Sequence, residues 1–250
     1  MQIIADVHGA VEFLRRTASQ PGPLLILGDL INFIDYRTNE GIVTDISGKD
    51  FTDRMVELRT AGEAVAAGAL WQDFRRGREE ELRAAYDAAI RKAYDEILEP
   101  LDRPDCFVTY GNVDRPDLMR TKLPAQATFI DTGVVEIEGY SVGFAGGGIV
   151  SINTPGEVSE PEMAEKLESL GSVDILCTHV PPAVNALAQD VVGGRAKGST
   201  AVLDYIRRHK PKWHYFGDVH QPQATTWRVA ETICRNVGYF RATGRASRHG

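Results

Sequence analysis

Five short polar segments occur along the chain in a fixed order. They are Asp6-Val7-His8-Gly9, Gly28-Asp29-Leu30-Ile31-Asn32, Gly111-Asn112-Val113-Asp114, Thr178-His179-Val180-Pro181 and Gly217-Asp218-Val219-His220. Carboxylate, imidazole and amide are the ligand types that hard-to-borderline divalent cations take. A carboxylate has two oxygens and can bridge two cations, and a neutral His or Asn completes a shell without adding charge. One such segment alone would carry no information; five in sequence point to a single metal centre.

Strands must deliver these residues. Four segments follow apolar runs that read as buried strands, at residues 2–5, 24–27, 106–110 and 173–177. The fifth follows a more mixed run at 213–216. Side chains at the carboxyl ends of parallel strands converge on one crevice of an open α/β sheet. A helix over 10–19 and the turn Pro21-Gly22-Pro23 join the first two strands, a β-α-β opening that argues for a parallel sheet.

The rest of the chain supports that frame. Residues 35–49 read as an irregular loop or small hairpin. Residues 79–98 place Leu82, Tyr86, Ala89, Ile90, Ala93 and Ile97 on one helical face, closed by Glu99-Pro100. The block at 36–100 therefore reads as a mostly helical insertion, a lid or prop, within a single domain spanning 1–250. Residues 128–138 and 140–145 read as a hairpin about Gly139, and a helix is expected over 161–170. Pro181-Pro182 forces an extended exit, and residues 191–199, with Gly193, Gly194 and Gly198, read as a mobile loop at the rim. Ser199 caps a helix over 200–208, and strands at 224–229 and 232–237 end the sheet.

Composition weighs against several classes. The 250 residues carry a net charge of −7, so no chain-wide basic surface favours nucleic acid or an anionic membrane. Hydrophobic content of 43% and charged content of 25% are ordinary for a globular protein. Cys106, Cys177 and Cys234 are widely spaced within apolar runs and read as buried and reduced, with neither a disulfide framework nor a CxxC site. The first strand follows Met1 without room for a signal peptide, and no apolar run approaches the ~20 residues of a membrane span. The expectation is a soluble, cytoplasmic protein. His209 and His214 stand outside the signatures and read as structural, and the basic end (Arg241, Arg245, Arg248, His249) reads as a solvated tail.

The ordered set resembles the calcineurin-like metallophosphoesterase family. Its usual pattern is D-x-H, G-D, G-N-H-D or G-N-C-D, a lone His, then G-H-x-H. The likeness runs from Asp6 to Asn236-Val237-Gly238 and leaves out only residues near 36–100. It implies an α/β fold, a sandwich of two mixed sheets flanked by helices. It also implies that Asp6, His8, Asp29 and His220 hold one divalent ion, and that Asp29 bridges to a second taking Asn112, His179 and Asp218. Two ions about 3.5–4 Å apart can share a hydroxide and stabilise attacking and leaving oxygens at phosphorus. The resemblance thus implies a phosphoester hydrolase with Asp29, Asn112, Asp114 and Arg115 in the reaction, on a small phosphoester or nucleotide-like substrate. Mn²⁺ is the expected ion, with Mg²⁺, Fe and Zn²⁺ as alternatives.

Two positions depart from the pattern. Val113 stands where many members carry a His that aids the leaving group, and valine can neither donate a proton nor hold charge. The G-N-C-D branch is the nearest, which implies a bias toward phosphodiesters. Asp114 then lacks its usual His, with Arg115 as a candidate partner, and Arg115 could instead face phosphate or form a plain salt bridge. Asp218 replaces a His; it remains an oxygen donor and makes the second position harder, favouring Mn²⁺ or Mg²⁺. The alternative is that Asp218 does not ligate. The alternative function is a weakly active or inactive scaffold for protein–protein assembly. The oligomeric state is left open.

Overall fold

In the computed structural model, which describes residues 1–151, 153–191 and 196–249, alternate side chains of the apolar runs go to different layers. Along the first strands, Ile3, Ala5, Leu25 and Leu27 join Val142, Phe144, Ile175, Cys177 and Tyr215 in one cluster. Their neighbours Ile4, Leu24 and Ile26 join a second cluster that includes helical residues. The pleat sends successive side chains to opposite faces. Burial of both faces explains why these runs are continuously apolar rather than alternating.

The strands are β1 (Gln2–Ile4), β2 (Leu24–Leu27), β3 (Cys106–Thr109), β4 (Thr128–Phe129), β5 (Thr132–Ile137), β6 (Tyr140–Ala145), β7 (Gly148–Ile149), β8 (Glu157–Val158), β9 (Ile175–Thr178), β10 (Trp213–Phe216), β11 (Thr226–Val229), β12 (Thr232–Asn236) and β13 (Ser247–Arg248). The helices are α1 (Val11–Ala18), α2 (Ile42–Ser47), α3 (Lys49–Thr60), α4 (Ala64–Arg75), α5 (Glu79–Leu98), α6 (Pro116–Lys122), α7 (Glu160–Ser169), α8 (Asn185–Ala188), α9 (Thr200–His209) and α10 (Phe240–Thr243). One sheet has the order β13-β1-β2-β3-β4, the other β11-β12-β10-β9-β6-β5. In each, a parallel centre carries an antiparallel edge: β13 in the first, β5 and β11 in the second. Leu14, Ile90, Tyr94 and Leu118 from α1, α5 and α6 cover the first sheet. Met163, Leu167, Val202 and Ile206 from α7 and α9 cover the second. The architecture is the sandwich of two mixed sheets flanked by helices that the resemblance implies.

Two local expectations are corrected. The segment 128–138 is not one strand: β4 pairs parallel with β3, whereas β5 pairs antiparallel with β6 in the other sheet. The chain crosses between sheets at Ile130-Asp131, where Asp131 is held by Lys166 and by the Tyr110 hydroxyl at 2.9 Å. Residues 42–47 form helix α2 rather than loop, with only an isolated bridge from Asp35 to Glu40 before it. Buried Ile42 and Val43 are drawn inward as their amides donate to Asn32 and Phe33 carbonyls, so packing overrides the β-branched propensity.

Within the helical block, α3 and α4 make a small cluster of their own around Met55, Leu58 and Ala67. Helix α5 instead enters the main core through Ile90, Tyr94, Ile97 and Leu98. All three cysteines are free and buried. Among the described residues, no helix is long and apolar enough to cross a membrane. The expected rim loop falls partly outside the described residues, at 192–195.

Candidate metal centre

Each signature lies just past a strand's carboxyl end. Asp6 and His8 follow β1, Asp29 follows β2 and Asn112 follows β3, all from one sheet. His179 follows β9, and Asp218 and His220 follow β10, from the other sheet. The crevice is therefore built where the parallel centres of both sheets end together. The backbone there is strained: Asp6, His8, Asp29 and Asp218 have φ of 58°, 41°, 54° and 65°. Left-handed non-glycine residues cost of order 1–3 kcal/mol each and persist only where surrounding structure holds them. Here the amide of Asp6 donates to the Gly28 carbonyl at 3.1 Å, and that of His8 to the Asp29 carbonyl at 2.9 Å. The Asp218 amide donates to Asp6 Oδ1 at 3.1 Å.

The side chains converge. His8 Nε2 and His220 Nε2 lie 3.2 Å apart, and His220 Nε2 lies 3.7 Å from Asp6 Oδ1. Asp29 Oδ2 stands between two imidazoles, 3.7 Å from His8 Nε2 and 3.4 Å from His179 Nε2. His179 Nε2 is 3.3 Å from Asn112 Oδ1 and 4.0 Å from Asp218 Oδ1. Two overlapping groups, Asp6, His8 and His220, and Asp6, Asp29 and His179, each bring their ligand atoms within 4.8 Å of one another.

This donor set fits divalent cations. The Nδ1 of His179 meets the Leu27 carbonyl at 2.8 Å, and that of His8 meets the Ile31 carbonyl at 3.3 Å. A carbonyl only accepts, so each Nδ1 keeps a proton and each Nε2 faces the crevice, where the neutral ring would offer its lone pair, the arrangement that orients metal-binding histidines. Asp6 Oδ2 is buried and has no hydrogen-bond partner, which leaves one carboxylate oxygen for a ligand. Gly111 of the third signature and Gly238, outside the signatures, provide room. A Cβ at Gly238 would overlap Asp6 Oδ2, and one at Gly111 would overlap Asp29 Oδ1.

Electrostatics reflect the crowding. Burial alone would lower the His179 pKa, but the Asp29 carboxylate beside it raises the value to about 10. Burial would raise Asp29, yet His179 and then His8 hold it well below the carboxylate range. Burial lowers His8, which favours the neutral form that ligates. His214, outside the crevice, is pushed down to about 3 by burial and stays neutral against the Thr178 hydroxyl at 2.8 Å.

The third signature supports rather than lines the crevice at its fourth residue. Asp114 is fully buried and accepts from the amides of Asp29 at 2.7 Å, Leu30 at 3.0 Å and Gly111 at 2.9 Å. Its fourth donor is the Tyr94 hydroxyl at 3.0 Å, which in turn accepts from the Arg115 amide at 2.7 Å. Burial and the neighbouring Asp29 charge raise Asp114 to about 6, opposed by its backbone donors. The Arg115 guanidinium pairs with Asp117 at 3.3 Å and Asp87 at 3.6 Å, and does not reach Asp114. The Val113 amide donates to Asp29 Oδ1 at 3.1 Å.

Several residues around the crevice lie outside the signatures. Tyr239 stacks on His220 with ring centres 4.0 Å apart and donates to Asp35 at 3.0 Å. Arg241 is no solvated tail: it donates to the His8 carbonyl at 2.6 Å and to Asp35 at 2.9 Å. Asn236 donates to the Val219 carbonyl and accepts from the Gly238 amide, both at 2.8 Å. Lys197 donates to Asp218 Oδ1 at 2.7 Å and to the Asp218 carbonyl at 2.9 Å. Of these residues, only Asn236 and Gly238, in the segment that ends the resemblance, were marked by the sequence.

No protein-family model and no curated protein matches the chain. Solved structures do. One crystal structure aligns with a TM-score of 0.57 at 14% identity, covering 96% of this chain and 90% of that one. The protein TT1561 of Thermus thermophilus aligns at 0.52 and 10% identity, covering 98% and 96%. The phosphopantetheinyl hydrolase PptH from Mycobacterium tuberculosis aligns more loosely, at 0.46 and 12% identity, covering 97% and 91%. For the first two the likeness is one of fold, along nearly the whole of each chain.

Proposed function

We propose that this chain is a metal-dependent phosphoester hydrolase, acting by preference on phosphodiesters, with the crevice at the strand ends as its active site. The observation that carries the reading is the convergence of Asp6, His8, Asp29, Asn112, His179 and His220. Their ligand atoms meet while the outward Nδ1 atoms of His8 and His179 are tied to carbonyls. Asp6, His8, Asp29 and His220 would hold one divalent cation; Asp29, Asn112 and His179, with Asp218, would offer a second position. Mn²⁺ is the expected ion. When bound, such cations supply Lewis acidity and lower the pKa of water.

The remaining roles belong to the chain. Asp29 lies between His8 and His179 and sets the spacing of the two halves. Asn112 turns Oδ1 toward His179, which leaves its amide N–H groups to donate to a phosphoryl oxygen. Asp114 holds the Asp29 and Asn112 loops in register through their amides, a positioning role. Val113 offers no proton, so departure of the leaving group goes without general acid help from this position, which is typically worth ~10²–10⁴ in rate. Valine at that place, nearest to the G-N-C-D branch, supports the diester preference. The leaving group is expected to be small or nucleotide-like, and the helical block at 36–100 acts as a prop through Tyr94.

Hydrolysis of a chromogenic phosphodiester and the matching monoester by stripped protein, with Mn²⁺, Mg²⁺ or no metal, tests this reading. Metal-dependent turnover favouring the diester is expected, and Asp29→Ala and His179→Ala should abolish it. Turnover that survives Asp29→Ala would sink the reading. A folded protein silent with every ion would shift it to a scaffold that keeps the fold for protein–protein assembly.

A further inference from the structure

The second half of the crevice already contains a cation. Lys197 Nζ donates twice to Asp218, to Oδ1 at 2.7 Å and to the main-chain carbonyl at 2.9 Å. The same Oδ1 lies 4.0 Å from His179 Nε2, so the ammonium engages the carboxylate oxygen that faces the second position. Asp218 is nearly buried, whereas the Lys197 side chain is 40% exposed. The pair thus sits at the mouth of the site rather than on a solvated face.

The local chain is built to deliver this lysine. The Lys197 amide donates to the Ala188 carbonyl, the Ser199 amide to the Pro181 carbonyl and the Ala183 amide to the Ser199 carbonyl, each at 2.9 Å. Gly198 lets this segment press against residues 182–183: a Cβ there would stand 2.6 Å from Ala183 Cα and 2.7 Å from Ala188 Cβ. The same Pro181-Pro182 exit that follows His179 therefore anchors the backbone that carries Lys197.

We propose, resting on the metal-centre reading above, that Lys197 is the resident cation of the second position, so that the chain binds one divalent ion tightly and a second only in competition with the Lys197–Asp218 pair. A lysine ammonium has three donors and no acceptor, and two of them are used by Asp218. The third is available to a phosphoryl oxygen of the substrate, a monovalent counterpart of the ion it displaces. A histidine at 218 would leave no carboxylate for the ammonium. The Asp218 departure and the placement of Lys197 are thus two parts of one arrangement.

Mn²⁺ titration of stripped protein, followed by calorimetry and by the electron paramagnetic resonance of free Mn²⁺, tests the proposal without reference to activity. Wild type should take one ion tightly. Lys197→Met and Asp218→His should each take two, with the second ion tightened roughly 10–100-fold, the range spanned by changes in ligand partners. Lys197→Met keeps the length of the side chain and Asp218→His keeps the lysine, so a folding defect in one does not decide the matter. Two ions of similar affinity in wild type, or a second ion unchanged or weakened in both variants, would overturn the lysine proposal alone. No ion in wild type, with Asp6→Asn indistinguishable from it, would overturn the metal centre and this proposal with it.

Discussion

The Tyr94 hydroxyl of helix α5 donates to Asp114 at 3.0 Å and accepts from the Arg115 amide at 2.7 Å. Through this single hydroxyl the helical block touches the carboxylate that ties the Asp29 and Gly111 loops together. Helix α5 is therefore joined to the candidate centre by this hydroxyl, although α3 and α4 pack on a cluster of their own.

Tyr94→Phe should test that joint. Asp114 Oδ1 keeps the Leu30 amide at 3.0 Å, but the Arg115 amide loses its acceptor, at about 1–3 kcal/mol for an unsatisfied group. For a chain of this length that corresponds to a fall in Tm of about 2–4 °C per kcal/mol. Calorimetry on stripped protein should show the loss, and Mn²⁺ affinity should fall as well. An unchanged Tm would mean that the hydroxyl is dispensable.

Gly238→Ala should damage the first half of the centre from outside its ligand set. Its Cβ would overlap Asp6 Oδ2, the oxygen that has no partner of its own. Overpacking of this kind costs about 1–3 kcal/mol in stability. Mn²⁺ uptake should fall well before folding fails, while Gly68→Ala, with open space around it and no left-handed backbone, should leave uptake intact. Equal uptake by both variants would contradict this account.

Metal affinity and stability should depend on pH in opposite senses. Burial lowers His179, but Asp29 raises it to about 10 in the metal-free protein, above its ordinary 6.5. Between those values the native state holds a proton that the unfolded chain has released. The stability from this group is therefore fully present below about pH 6.5 and is lost as the pH climbs through the folded value. Urea denaturation in chelator should show stripped protein weakening from pH 7 toward pH 10. A ligand must be neutral, so Mn²⁺ affinity should rise over the same interval with release of a proton. Affinity independent of pH would exclude His179 as a ligand.

Val113→His should change substrate preference rather than metal content. The Val113 amide already donates to Asp29, so the backbone is in place for a side chain at the crevice. An imidazole there should raise monoester turnover relative to diester, most for alkyl leaving groups, within the ~10²–10⁴ scale of general acid catalysis. A diester-to-monoester ratio that does not move would argue against a role for this position.

Much of the architecture could be read from local chemistry. The apolar runs ahead of the signatures are strands because both faces are buried, and each signature lies at a carboxyl end, as their polar residues required. The face of α5 followed from helical spacing, and the cap of α9 from Ser199. The crossing at Ile130-Asp131 was not legible, because both halves have strand-like residues and only Lys166 and Tyr110, distant in sequence, mark the break. Helix α2 was missed for the same kind of reason: its β-branched start is helical only because Asn32 and Phe33 accept its amides.

The division at the crevice is sharper still. Residue type and order, by themselves, specified a set of candidate ligands and the strand ends that carry them, since ligand chemistry is a property of each side chain and strand periodicity is local. Tertiary structure decided which atoms face inward, through the Leu27 and Ile31 carbonyls that orient His179 and His8. It also decided that Tyr94, Tyr239, Arg241 and Lys197 belong to the surroundings of the site. Those contacts join residues far apart in the chain, and no pattern within one segment records where a distant side chain will come to rest.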